Sequence, residues 1–149
     1  MHGPQDAGRD VTMTPLLILT HGEFGPVLLR AAEAMFGPQP QASALGLGLD
    51  ETREDFQARV RLAREGLVGC PLVLVDLACG TPWNVAVLAG CAQEGEVLAG
   101  LSLPLLLEAM ELRASLAARA LGAELVARAP QTFSRASVLM AGGGNGACG

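Results

Sequence analysis

Leu16-Leu17-Ile18-Leu19-Thr20-His21-Gly22 reads as a buried strand that breaks off on a histidine. Its first four residues are apolar without alternation, the pattern of a strand covered on both faces. A helical pattern follows from about Pro26 to Phe36, where Val27, Leu28, Ala31, Ala32 and Met35 recur at helical spacing and Gly37-Pro38 ends the run. A second strand of the same kind, Pro71 to Val75, ends on Asp76. Strand and helix patterns then keep alternating, which predicts an α/β fold with a mainly parallel sheet flanked by helices.

Four strands are expected. Between the two already named lies a weaker one, Ala42 to Leu49, with glycines at 46 and 48. Thr52 and Asp55 then form a T-x-x-D start, with Asp50, Glu51, Glu54 and Asp55 crowding the positive end of a helix whose buried stripe is Phe56, Val60, Ala63 and Leu67. After Asp76, Thr81-Pro82 predicts a further helix to about Cys91, with Thr81 as N-cap and Pro82 at the first helical position. The fourth strand is Val97 to Leu101. Pro104 opens a helix through about Arg113, and Ser115 to Ala129 reads as helical, with Gly122 as a candidate bend. Thr132 to Met140, carrying Phe133, Val138 and Leu139, is a candidate edge strand. Residues 1–13 read as a disordered extension, and Gly142-Gly143-Gly144-Asn145-Gly146 as a mobile end.

The 149 residues suit one domain, and half of them are apolar. With one Trp, four Phe and no Tyr, the core falls to Leu, Val and Ala. Net charge is −5 and every basic residue is arginine. That balance argues against nucleic acid as a partner, since phosphate backbones call for clustered positive charge. Cysteines at 70, 79, 91 and 148 show no ligand spacing, so no metal site is expected, and they read as small buried thiols of a reducing cytoplasm. No run of about 18 apolar residues exists to span a membrane.

The chemistry concentrates at the strand ends. Adjacent parallel strands lie roughly 4.8 Å apart, so neighbouring ends would bring His21 and Asp76 together. A carboxylate holding one ring N–H fixes the tautomer and stabilises positive charge on the imidazole. No serine or thiol is evident for the histidine to deprotonate, which makes His21 itself the candidate nucleophile. Gly80-Thr81-Pro82 points to a phosphoryl group, because helix N-termini present free N–H groups to anions. Gly22 and Gly80 permit close approach, and the Thr81 hydroxyl can cap the helix or donate to a phosphate oxygen. No P-loop or G-x-G-x-x-G pattern indicates a nucleotide. Each residue also has a plain structural reading: a hydrogen-bonded histidine, an aspartate closing a loop, a Thr-Pro helix start.

At these residues the chain resembles the mannose-type (mannose/fructose/sorbose) IIA component of the bacterial phosphoenolpyruvate-dependent sugar phosphotransferase system. LLILTHG (16–22) resembles the family's apolar strand and phosphorylated His-Gly. LVLVDLACGTPWNVA (72–86) is similar to its strand, Asp, two variable residues, Gly-Ser/Thr-Pro and aromatic-Asn. LAGLSLPLLLEAM (98–110) is similar to its G-x-N-x-P-M-L-x-E segment. The resemblance covers residues 14–129. It implies a doubly wound sheet and a phosphoryl group carried on Nε2 of His21, with Asp76 holding Nδ1–H and Gly22, Gly80 and Thr81 around the phosphate. It also implies no cofactor or metal, HPr as donor, a IIB protein as acceptor and a membrane permease served indirectly. A homodimer with an exchanged antiparallel edge strand is expected, and Phe133–Met140 is the candidate for that strand. Regulatory binding governed by phosphorylation, or phosphate donation to a dihydroxyacetone kinase, are the alternative uses. The sequence departs from the pattern at Ala78-Cys79, where Trp-Gly or Met-Gly-like pairs are usual, at Ser102 for asparagine and at Trp83 for phenylalanine. Glu23 and Phe24 are placed to face HPr.

Overall fold

In the computed structural model, which describes residues 13–142, four strands form one sheet. They are β1 (Leu16–His21), β2 (Ala42–Leu47), β3 (Leu72–Val75) and β4 (Glu96–Ala99), in the order β2-β1-β3-β4 with every pair parallel. Leu16 sits opposite Ala42 on one side and Leu72 on the other, so the ends of β1 and β3 stay level. The chain leaves β1 through α1 (Phe24–Phe36) toward one edge. It then returns through α2 (Arg53–Glu65) to β3, and through α3 (Thr81–Leu88) and α4 (Cys91–Glu94) to β4. Parallel crossovers are right-handed, so the change of direction puts α1 and α2 on opposite faces.

Two cores result. Leu16, Ile18, Leu72 and Leu74 pack with Leu29 and Ala32 of α1 and with α5 (Leu103–Leu112) and α6 (Ala118–Arg128). Leu17, Leu19, Val73 and Val75 pack with Phe56 and Val60 of α2 and with Val85 and Ala86 of α3. Strands loaded on both faces explain why β1 and β3 show no alternation. Thr52 caps α2, accepting from Asp55 N–H at 3.1 Å, as its T-x-x-D pattern predicts. Ser102 caps α5 in the same way, through Leu105 N–H.

Several expectations are corrected. The segment read as an edge strand forms a 3-10 turn (Ala129–Thr132) and a short helix, α7 (Ala136–Ala141). Its apolar run meets no strand edge among the described residues, and Ala, Leu and Met favour a helix where pairing is lacking. The buried stripe of α1 is Gly25, Leu29 and Ala32, while Val27 and Met35 face outward. Gly25 sets that phase by packing directly against Thr20 and Ile18. The helix predicted from Thr81 to Cys91 divides at Gly90, which turns left-handed (φ +79°). β2 stops at Leu47, leaving Leu49 fully exposed, and α6 begins at Ala118 and runs on through Gly122, which lies buried against Glu96. Only Cys91 of the described cysteines is buried. Cys70 and Cys79 are exposed, because both lie in connections flanking β3. The extension over residues 1–12 and the glycine run beyond Gly142 lie outside the described residues.

Arg113 ties the lower end of the sheet together. It is buried, and its guanidinium donates to the carbonyls of Pro40 (2.6 Å), Gln41 (3.0 Å) and Thr14 and to Gln39 Oε1. Burial pushes its pKa down.

Candidate functional site

The strand order reverses between β1 and β3: β2 flanks β1 on one side and β3 flanks it on the other. In doubly wound sheets such a switch point opens a crevice outside the carboxyl ends of the strands. His21 is the last residue of β1, and Asp76 follows the last residue of β3. One carboxylate oxygen, Asp76 Oδ2, accepts twice from this histidine. The main-chain N–H of His21 donates at 2.9 Å, and Nδ1 of the ring lies 3.0 Å away. This double hold fixes both the backbone and the ring plane, and Nδ1 bears the proton of the neutral ring when it donates. The other oxygen, Oδ1, is buried and finds no partner among the described residues. The carboxylate's charge is therefore shared with few donors besides the imidazole, whose ring stands about half exposed (47%).

The opposite ring edge faces Gly80. A methyl group there would stand 2.9 Å from Cε1 and 3.3 Å from Nε2 of His21. The absent side chain is what keeps Nε2 open. Gly80 is also the N-cap of α3, in extended conformation (φ −84°, ψ 176°), and Thr81 and Pro82 are the first two helical residues. This shifts the cap by one position from the sequence expectation, and no side chain caps the helix. The Thr81 hydroxyl is thus not engaged as an N-cap, and with Pro82 lacking an N–H, those of Thr81 and Trp83 are the first-turn donors at the positive end of the helix. Asn84 N–H closes the first turn on Gly80 C=O at 2.9 Å. Trp83 is half-buried and packs against the α2–α3 core.

Backbone conformation explains the remaining glycines. Gly22 is left-handed (φ +57°) and donates its N–H to Leu47 C=O at 2.8 Å. Its own carbonyl rests on Gly46, where any Cβ would overlap the Gly22 backbone. Cys79 is left-handed too (φ +65°), at a position where the resembling pattern carries glycine. The departure at Ala78-Cys79 therefore places a β-carbon where the backbone disfavours one, at about 1–2 kcal/mol.

The five residues proposed from sequence fall at one place in the fold. His21, Asp76 and Gly80 are in direct proximity, Gly22 forms the turn beside the ring, and Thr81 follows Gly80. Two residues that shape the site were not singled out from sequence. Thr20 and Gly46 hold the His21-Gly22 turn from beneath and beside. A polar residue inside an apolar strand, and the glycine that weakened β2, were the available signals.

Fold and site together define a class: a doubly wound α/β protein with a carboxylate-braced imidazole at the switch point of its sheet. Comparison with known proteins narrows it. The family described as "PTS system fructose IIA component" matches residues 15–126. The fructose-specific EIIA component of Bacillus subtilis (strain 168) is 33% identical over 127 residues, covering 81% of this chain and 85% of that protein. The sorbose-specific EIIA component of Klebsiella pneumoniae is 32% identical, covering 80% and 89%. Among solved structures, a phosphotransferase system component EIIA from Streptococcus agalactiae superposes with a TM-score of 0.76 at 24% identity, covering 85% of this chain and 99% of that one. The chain belongs to the mannose-type IIA family of the phosphotransferase system. Components of this family are phosphocarriers in sugar uptake that work with HPr and IIB partners, and this is the role of the present chain. No described helix is long and apolar enough to cross a membrane.

Proposed function

We propose that His21 carries the phosphoryl group on Nε2, taking it from phospho-HPr and passing it to a IIB protein. The observation that carries this reading is the ring's orientation: Nδ1 lies 3.0 Å from Asp76 Oδ2, while Nε2 faces the side-chain-free Gly80 at the start of α3. The Nε2 lone pair attacks phosphorus as the N–P bond of the donor histidine breaks, and those electrons return to the donor ring. The product ring is positively charged, and Asp76 balances it through the Nδ1–H bond. The phosphoryl oxygens meet the first-turn N–H groups of α3, with Gly22 and Gly80 allowing approach and the Thr81 hydroxyl donating. Transfer to IIB runs the same step in reverse on a new acceptor. Glu23 and Phe24 (45% exposed) follow the histidine turn in the chain and form part of the surface HPr meets. The protein acts in the cytoplasm as a homodimer. No cofactor takes part, and the sugar is chosen elsewhere.

The test is incubation with phosphoenolpyruvate, enzyme I and HPr, followed by mass-spectrometric location of an acid-labile phosphate. Wild-type protein is expected to label at His21 and His21→Ala to remain unlabelled. Asp76→Asn is expected to slow labelling by about tenfold or more, since an amide holds the ring without balancing its charge. Absence of label on wild type in a competent relay rejects the reading.

A further inference from the structure

The side chain of Thr20 is fully buried, at the polar end of the β1 stripe Leu16, Ile18, Thr20. A buried hydroxyl is costly unless it is satisfied, and this one is satisfied by the turn that carries the histidine. Thr20 Oγ1 accepts from Gly25 N–H at 2.7 Å and lies 3.3 Å from Gly22 C=O, to which it donates. The N-cap residue of α1, Glu23, makes no side-chain cap bond. Thr20 supplies the missing acceptor from outside the helix. Gly25 is the residue that lets it do so, since a Cβ there would stand 2.8 Å from the hydroxyl oxygen. On the other side, the Gly22 carbonyl is pressed against Gly46. The turn 21–23 is therefore clamped between a hydroxyl and a bare backbone, and His21 N–H and Nδ1 meet the same Asp76 oxygen from that turn.

We propose that Thr20 is a positioning residue for phosphoryl transfer. Its hydroxyl joins the strand end, the Gly22 carbonyl and the first turn of α1 into one rigid unit, and this unit sets the distance of the imidazole from Asp76 and from the start of α3. The role of the ring rests on the reading given above, but the placement of the ring does not.

Thr20→Val keeps the shape and removes the hydroxyl, while Thr20→Ser keeps the hydroxyl. The assay is the rate of phosphoryl transfer from phospho-HPr, paired with 15N NMR of the His21 ring in unphosphorylated protein. Wild type and Thr20→Ser are expected to show a single Nδ1-protonated tautomer and rates within about twofold of each other. Thr20→Val is expected to show mixed or broadened ring signals and a transfer rate reduced about tenfold to a hundredfold, the penalty of misplacing a reacting group by a fraction of an ångström. If Thr20→Val does not fold, Thr20→Cys replaces it, because a thiol is a weak hydrogen-bonding partner that differs from serine by one atom. A Val or Cys variant that melts earlier but keeps the wild-type ring signals and rate makes Thr20 merely structural and overturns the proposal. If no variant labels, wild type included, the transfer reading fails, and the ring signals alone decide the role of Thr20.

Discussion

Replacing Gly80 by alanine separates the stability of this protein from its chemistry. The backbone at Gly80 is extended (φ −84°, ψ 176°), a conformation alanine adopts without strain. The substitution also restricts the unfolded chain, which by itself stabilises by about 0.4–1 kcal/mol. The added methyl meets one neighbour badly: it lies 2.9 Å from Cε1 of His21, about 0.6 Å inside the roughly 3.5 Å at which carbon atoms settle. The ring is held at 3.0 Å from Asp76 Oδ2, and a displacement of that size distorts this bond or tilts Nε2 away from the helix start. Because the ring is half exposed it can yield, and alanine's poorer fit as an N-cap offsets the gain in the unfolded chain, so the fold is expected to persist with a melting temperature near wild type. Transfer is expected to fall by about tenfold or more, through the misplaced ring and the methyl lying 3.3 Å from Nε2. Rates of labelling from phospho-HPr, measured alongside thermal melts, test both halves. A folded Gly80→Ala variant that labels at the wild-type rate would refute the assignment of this face of the ring as the reacting one.

Other expectations follow from named contacts. Cys79→Gly relieves a left-handed β-carbon and should raise unfolding stability by about 1 kcal/mol in urea titrations, with labelling retained. Arg113→Met strips four neutral acceptors of a buried donor and should cost about 2–4 kcal/mol in the same titrations. The Gly48 N–H and Arg59 hold the Glu51 carboxyl below the ordinary glutamate value. A depressed carboxyl contributes stability at neutral pH that is lost as pH falls below about 4.3 and through the lowered pKa. Glu51→Gln should therefore be less stable than wild type at pH 7, and the difference should shrink in denaturant melts at pH 3.

The strands that carry the site were legible because burial on both faces leaves an unmistakable apolar run, as in Leu16–Leu19 and Leu72–Val75. Helix starts were legible where a local chemical cue exists, as at Thr52, and were off by one at Gly80-Thr81, where threonine and glycine both qualify as caps. Long-range contacts left no such trace. Arg113 is separated by 72 to 99 residues from the carbonyls it binds, and nothing nearby marks it as buried. Thr20 stood out only as a polar residue at the end of an apolar strand, because its partners Gly22 and Gly25 become partners only once the turn is made. The α1 stripe was misphased for a related reason. Periodicity alone favoured Val27 and Met35, and the close packing of Gly25 on Thr20 turned the helix. The C-terminal apolar segment carried a pattern too short to separate strand from helix.

His21 and Asp76 stand 55 positions apart, at the ends of different strands, each followed by its own crossover helix. The site is therefore divisible. A single cut in the exposed connection between α2 and β3, near Gly69, would yield one piece bearing the imidazole and another bearing its carboxylate and the α3 start. Neither piece alone could hold the ring in register, and acid-labile label would return only when the two halves dock along β1 and β3. That makes phosphorylation itself a reporter for fragment complementation in this fold.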